Sequence, residues 1–291
     1  MPRLLVAATA ALLTAALAHA QATPAARAST PATTPSFADP LVAFELMTWP
    51  EVKAALAAGK TTALFYTGGT EQRGPQNVNG GHNLLGKATV KAIALKLGNA
   101  IAMPVLPYTP NRASATIPGT IGLTNELLAP ILERLAEEAI VTGFTHIILM
   151  GDHGGGQPDV YTAVAERLEA RYAPQGIHVF YCDEVYSKAN DDFDKWLGAN
   201  GYPTGGHASL IDTSEMLYLG GSEWVRKDLI KDALGDPVPE RGAPRDTSAK
   251  RLNNGITGDG RRSSAELGKR VFEMKVAYGV KQIKELVASK R

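Results

Sequence analysis

The chain has 291 residues, 44% of them hydrophobic, and a formal net charge of +1. A charge so near zero argues against nucleic acid or an anionic membrane surface as the main partner. The single cysteine, Cys182, excludes a disulfide within the chain, so stability must come from an apolar core.

The first residues have the pattern of a secretory signal. Arg3 gives a positive start, Leu4–Leu17 an apolar run, and Ala18-His19-Ala20 a small-x-small cleavage site. The run is too short and alanine-rich to span a bilayer, and Gln21 offers no thiol for lipid attachment. Residues 1–20 are therefore expected to be removed, leaving a periplasmic or secreted protein with no membrane insertion. Residues 21–38, mostly Ala, Thr, Pro, Ser and Arg, lack the apolar content to fold and form a flexible tether. The remainder, 39–291, is long enough for one large domain.

Strand-like and helical segments then alternate. Thr61–Thr67 is a short apolar strand ending in Gly68-Gly69, and Asn83–Leu97 has helical spacing. Ala100–Leu106 is a second strand, and Thr124 caps a long amphipathic helix. His146–Met150 and Ile177–Cys182 are further strands, with a helix over Pro158–Tyr172 between them. Gly220–Gly260, rich in Gly, Pro and charge, is expected to be a surface excursion over the sheet or an intersubunit contact, with one helical piece near Trp224–Leu234. Ser264–Lys290 closes the chain as a helix. Continuous apolar strands between amphipathic helices predict a three-layer α/β/α domain with a mostly parallel sheet. Ligand sites in such sheets lie beyond the carboxyl ends of the strands.

Three of the six histidines sit in glycine-rich breaks: Gly80-Gly81-His82, Gly151-Asp152-His153-Gly154-Gly155-Gly156 and Gly205-Gly206-His207. This setting places them on loop tips, where backbone can approach a ligand closely. Glu71 follows the first strand, eleven residues before His82. Glu71, His82 and His153 give one carboxylate and two imidazoles, a set that suits Zn²⁺ with an open position for water. Each residue also has a plain structural use: Glu71 as a turn cap, His82 as a helix-terminal residue, His153 packed on Pro158. A nucleotide loop is disfavoured, because the dinucleotide fingerprint needs glycine where His153 stands and no P-loop lysine follows.

The chain resembles the creatininase (creatinine amidohydrolase) family along most of its length. The family segment EQHGPHLPLxTD is similar to Glu71-Gln72-Arg73-Gly74-Pro75, with His82 at the aspartate position. FPGT is similar to Ile117-Pro118-Gly119-Thr120, and NGHGGN to the Gly151–Gly156 loop. HAGExETS is similar to His207–Ser214, and GDPxxATAEKG to Gly258–Gly268. The resemblance implies the creatininase fold, hydrolysis of a C–N bond in a small molecule, divalent ions, and a closed homo-oligomer such as a hexamer.

Family members commonly hold two ions, bridged by the aspartate of the first block. Here Arg73 replaces a ligand histidine, and a guanidinium stays protonated and cannot bind a metal. His82 replaces the bridging aspartate, Gly155 a ligand glutamate of creatininase, and Leu210 and Asp212 the two glutamates of the fourth block. One divalent ion per chain is expected, zinc first, with manganese or iron as alternatives, on Glu71, His82 and His153. His207, Arg73 and Asp152 are the expected catalytic set. His207 would shuttle protons, Arg73 would hold a carboxylate or oxyanion or else pair with Glu71 or Asp152, and Asp152 and Asp212 would orient the imidazoles. Ser114, Gly154, Gly155 and Asp212 are the expected substrate-binding residues. The family SxEH residues read Asn111-Arg-Ala-Ser114 here, so creatinine itself is not the expected substrate. The competing reading is a non-catalytic descendant that binds a small polar ligand in the same pocket.

Overall fold

A computed structural model describes residues 41–111, 117–154, 156–238 and 252–290. The signal sequence, the tether, Ser114 and Gly155 lie outside the described residues.

In chain order the elements are α1 (Trp49–Ala57), β1 (Thr62–Thr67), α2 (Gly81–Leu97), β2 (Ala100–Ala102), α3 (Asn125–Thr142), β3 (His146–Gly151), α4 (Gln157–Tyr172), β4 (His178–Tyr181), α5 (Ser187–Ala199), α6 (Leu210–Leu219) and α7 (Ala265–Ala288). The four strands form one sheet in the order β2-β1-β3-β4, and every pairing is parallel. Because side chains alternate across a strand, each face of the sheet collects its own core. Ala63, Phe65, Ile147, Leu149 and Val179 pack with Leu128 and Leu132 of α3 and Val164 and Leu168 of α4. Leu64, Tyr66, Ile148, Met150 and Phe180 pack with Val90 and Ile93 of α2 and Val276 and Ile283 of α7. The result is the three-layer α/β/α arrangement.

The register brings the chemistry together. Thr67, the last residue of β1, lies opposite Gly151, the last of β3. The loop carrying Glu71 and the loop carrying Asp152 and His153 therefore leave the sheet side by side. The start of α2 closes in from above. A Cβ on Gly68 would come within 2.3 Å of Asn83 Oδ1, and one on Gly69 would reach the His153 and His82 rings at 3.5 and 3.7 Å. This glycine pair permits the close approach of α2 to the end of β1, and Gly69 N–H secures it by donating to Asn83 Oδ1 at 2.9 Å.

Several boundaries differ from the sequence reading. β2 stops at Ala102; beyond it Met103 N–H still donates to the Leu64 carbonyl, and Leu106 forms an isolated parallel bridge with Thr67. The Gly220–Gly260 stretch is not wholly superficial. It carries a 3₁₀ turn at Lys227–Asp232, and Ala233 and Ile256 are buried against Ala208. Thr257 N–H donates to the His207 carbonyl at 2.9 Å, so part of the excursion braces the His207 loop. His82 lies in the first turn of α2, at the helix start its sequence context predicts, but it is buried rather than at an exposed loop tip.

Candidate metal centre

Glu71 is the hub. Its Oε1 lies 2.9 Å from His82 Nε2 and its Oε2 lies 3.1 Å from His153 Nε2. The three residues offer ligand atoms that all fall within 4.8 Å of one another. Among the described residues no other group of three such side chains does so. His82 Nδ1 lies 3.0 Å from Asp152 Oδ1, so a carboxylate stands behind the imidazole that faces Glu71. An imidazole ring held through Nδ1–H presents an unprotonated Nε2, the form that binds a cation. Two imidazoles and one carboxylate thus fit a divalent ion in donor type and in support from behind.

The electrostatics show how unusual the cluster is without such an ion. Burial pushes the Glu71 carboxyl up, yet hydrogen bonds from His153 and His82 outweigh it and hold the carboxylate well below the usual range. Burial and the Arg73 charge press His82 down, but Asp152 and Glu71 raise it to about 9.

His207 stands at the rim of the same cluster. Its Nε2 lies 2.8 Å from the Gln72 backbone carbonyl oxygen and 3.0 Å from the Gln72 side-chain Nε2, so it can donate to the first or accept from the second. Nδ1 lies 3.5 Å from Glu71 Oε1. Burial lowers the His207 pKa from its ordinary value, which keeps the ring neutral. The loop that presents it is held in an uncommon conformation: Ala208 adopts a φ of 56°, in the left-handed region. Ala208 N–H donates to Asp212 Oδ2 at 2.7 Å and its carbonyl accepts from Gln76 Nε2 at 2.6 Å.

Arg73 takes the second of its two expected roles, pairing within the chain, with Asp212 as its nearer partner. It is wholly buried and lies beneath the site, so it cannot reach a ligand's carboxylate or oxyanion. Its Nη2 pairs with Asp212 Oδ1 at 2.9 Å, and its Nη1 is 3.9 Å from Glu71 Oε1. Asp212 accordingly braces Arg73 and Ala208 rather than an imidazole. Asp152 does face an imidazole, that of His82. A cavity of about 460 Å³ opens over Glu71, His82, Asp152, His153, His207 and Asp212. Gly154 lines it as well, and one wall is the first half of α5, from Ser187 to Asp194. Lys275 on α7 reaches the floor of this cavity, and Glu215 on α6 lies behind Lys275. Neither was marked by the sequence, because α6 and α7 meet only in the folded chain.

Residues 45–283 match the family model for creatininase, described as creatinine amidohydrolase. The chain belongs to the creatininase family. Solved creatininase structures share its fold. A creatinine amidohydrolase (creatininase) crystal structure is 22% identical, with a TM-score of 0.67, covering 84% of this chain and 98% of that one. A mutant creatininase in its Zn–Zn form is 23% identical, with a TM-score of 0.68 and coverage of 85% and 98%. A manganese creatininase is 23% identical, with a TM-score of 0.67 and coverage of 84% and 98%. No curated protein matches the sequence. Among the described residues no helix is long and apolar enough to cross a membrane. Membership in the creatininase family makes hydrolysis the general chemistry to expect of this cavity.

Proposed function

We propose that the protein hydrolyses an amide or cyclic amide C–N bond in a small molecule other than creatinine, using one divalent ion held by Glu71, His82 and His153. The observation that carries this reading is Glu71 itself, a buried carboxylate whose two oxygens each meet the Nε2 of a different histidine. An ion bound there supplies a Lewis acid for the carbonyl and a water acidic enough to attack near neutral pH. Zinc is the first choice, because imidazole and carboxylate suit it and because a related creatininase is a Zn–Zn form.

The protein's own groups do the rest. Asp152 fixes the His82 ring, so the carboxylate–imidazole geometry is set before substrate arrives. His207 accepts a proton at Nδ1 and returns it to the departing nitrogen, so that amide and water become acid and amine. Gly154, with no side chain, leaves room for substrate beside His153. The replacement of the family SxEH residues at Asn111–Ser114 supports a substrate other than creatinine.

Elemental analysis of protein purified from residue 21 onward should find about one divalent ion per chain, as an open three-ligand site requires. A screen of small amides and lactams should then yield turnover that a chelator abolishes and added Zn²⁺ or Mn²⁺ restores. Two tightly held ions would contradict the one-ion assignment. An ion-free protein without turnover would favour a binding protein instead.

Export is part of the same proposal. The Arg3, apolar-run and Ala18-His19-Ala20 pattern supports cleavage after Ala20. Mass spectrometry of protein recovered outside the cytoplasm should show an N-terminus at Gln21, and an intact Met1 on that material would refute it.

A further inference from the structure

Lys275 and Glu215 meet where α7 packs on α6, with Nζ 2.5 Å from Oε2 and side chains only 5% and 1% exposed. Burying an ion pair costs more in lost hydration than it returns unless the geometry is excellent, and two helices can be joined with apolar residues instead. This pair is also not fully satisfied, since Glu215 Oε1 has no hydrogen-bond partner. Its location suggests why it is present. Lys275 reaches the cavity that holds the candidate ligands. Lys275 lines that cavity together with Asp152 and Asp212, and against burial, which lowers it, the charges of Glu215 first and then of Asp152 and Asp212 raise its pKa. A lysine so placed is itself a candidate cation for the carboxylates that support the ion site.

The charges of the cluster can be counted. Glu71, Asp152, Asp212 and Glu215 are four carboxylates, and Arg73 and Lys275 are the fixed cations that face them. Two negative charges are left over, the charge of one divalent ion. We propose that Glu215 tethers Lys275, holding its ammonium back from Asp152 and Asp212 so that these two charges remain available to a single ion at Glu71, His82 and His153. Glu215 and Lys275 are then positioning residues that act on His82 through Asp152. The inference rests on the ion-binding reading of the site.

The test uses the mature protein, stripped by a chelator and titrated with Zn²⁺ against a chromophoric competitor. Wild type should take up one ion. In Glu215→Gln the freed ammonium should turn to Asp152 and weaken Zn²⁺ binding ten- to a hundredfold, roughly the weight of a group that supports a metal ligand. Lys275→Met should bind Zn²⁺ at least as tightly as wild type, because the competing cation is gone. The double variant Glu215→Gln/Lys275→Met should return to within about threefold of wild type, a coupling that two independent structural defects would not give. Wild-type affinity in Glu215→Gln, or a double variant as weak as that single one, would overturn the tether. If Glu215→Gln does not fold, Lys275→Met decides: retained affinity supports the tether and a tenfold loss overturns it. A wild type that binds no Zn²⁺ would sink the ion-site reading, and the tether with it. A wild type that binds while the variants break this pattern would sink the tether alone.

Discussion

Glu71→Gln is expected to empty the ion site and abolish hydrolysis. The substitution keeps the shape of the side chain but removes its charge, and it puts an NH₂ group where one imidazole Nε2 now meets a carboxylate oxygen. Only two neutral donors would remain, and their supporting charge would be reduced to Asp152. Metal content should fall from about one ion per chain to nearly none, and turnover should fall with it, since the chemistry depends on the ion to activate water. Circular dichroism should show the fold retained, because Glu71 lies in a loop beyond β1 and contributes nothing to either apolar core. A Glu71→Gln protein that still holds its ion would show that the imidazoles, or a group elsewhere, form the true site.

His207→Ala should behave differently. Its Nδ1 faces Glu71 across 3.5 Å, its Nε2 meets the backbone carbonyl and side-chain amide of Gln72, and it stands outside the three-residue ligand group, as the proposed proton carrier should. Metal content and fold should stay near wild type while kcat falls roughly 10²–10⁴-fold, the usual weight of general acid–base catalysis. KM should change little, because the ring's contribution is to proton movement. Undiminished turnover would remove His207 from the mechanism. Loss of the ion in the same variant would make it a ligand.

Much of the fold is visible in the linear pattern, and the reason is its periodicity. β1, β3 and β4 are buried on both faces, so they appear as unbroken apolar runs, and α3 and α7 are long enough for their stripes to repeat several times. Thr124 stands at the N-cap of α3 as its place in the pattern predicts, although its side chain makes no capping bond; the capping bond is found instead at α7, where Ser264 accepts from Leu267 N–H. Three helices, α1, α5 and α6, were not anticipated. α5 carries Asp191, Asp192, Asp194 and Asn190, poor helix formers, and holds its place through Phe193 and Leu197 packed against Leu210 and Val271. α6 packs against α7 and α2, and six of its ten residues are buried, polar ones among them, so no polar stripe marks it.

The site was legible in part for a similar reason. Glycine marks backbone that approaches something closely, and Gly69 does lie against both His82 and His153. Glycine does not say which way a neighbouring side chain turns, however, so His82 is found at the helix start the pattern predicts but buried rather than at an exposed tip. Arg73 was placed by its charge alone. A guanidinium in sequence carries no sign of whether it faces solvent, substrate or another part of the chain, and only the packing of Gly81 and Met216 around it shows that it is enclosed. Lys275 and Glu215 are sixty residues apart and look like ordinary members of amphipathic helices.

The enclosure of Arg73 bears on how the site comes into being. An ion can be acquired late, exchanged, or stripped away, whereas a guanidinium is installed by translation and is present in every copy of the chain. Folding must therefore wrap Asp212 and Glu71 around Arg73 before any ion arrives, which gives the pocket part of its positive charge without help from the surroundings. On the proposed export, where the supply of metal would be set by the environment, this arrangement would separate two events that a fully metal-built site would merge. The pocket would be assembled in metal-poor conditions, and the proposed single ion would switch it on afterwards.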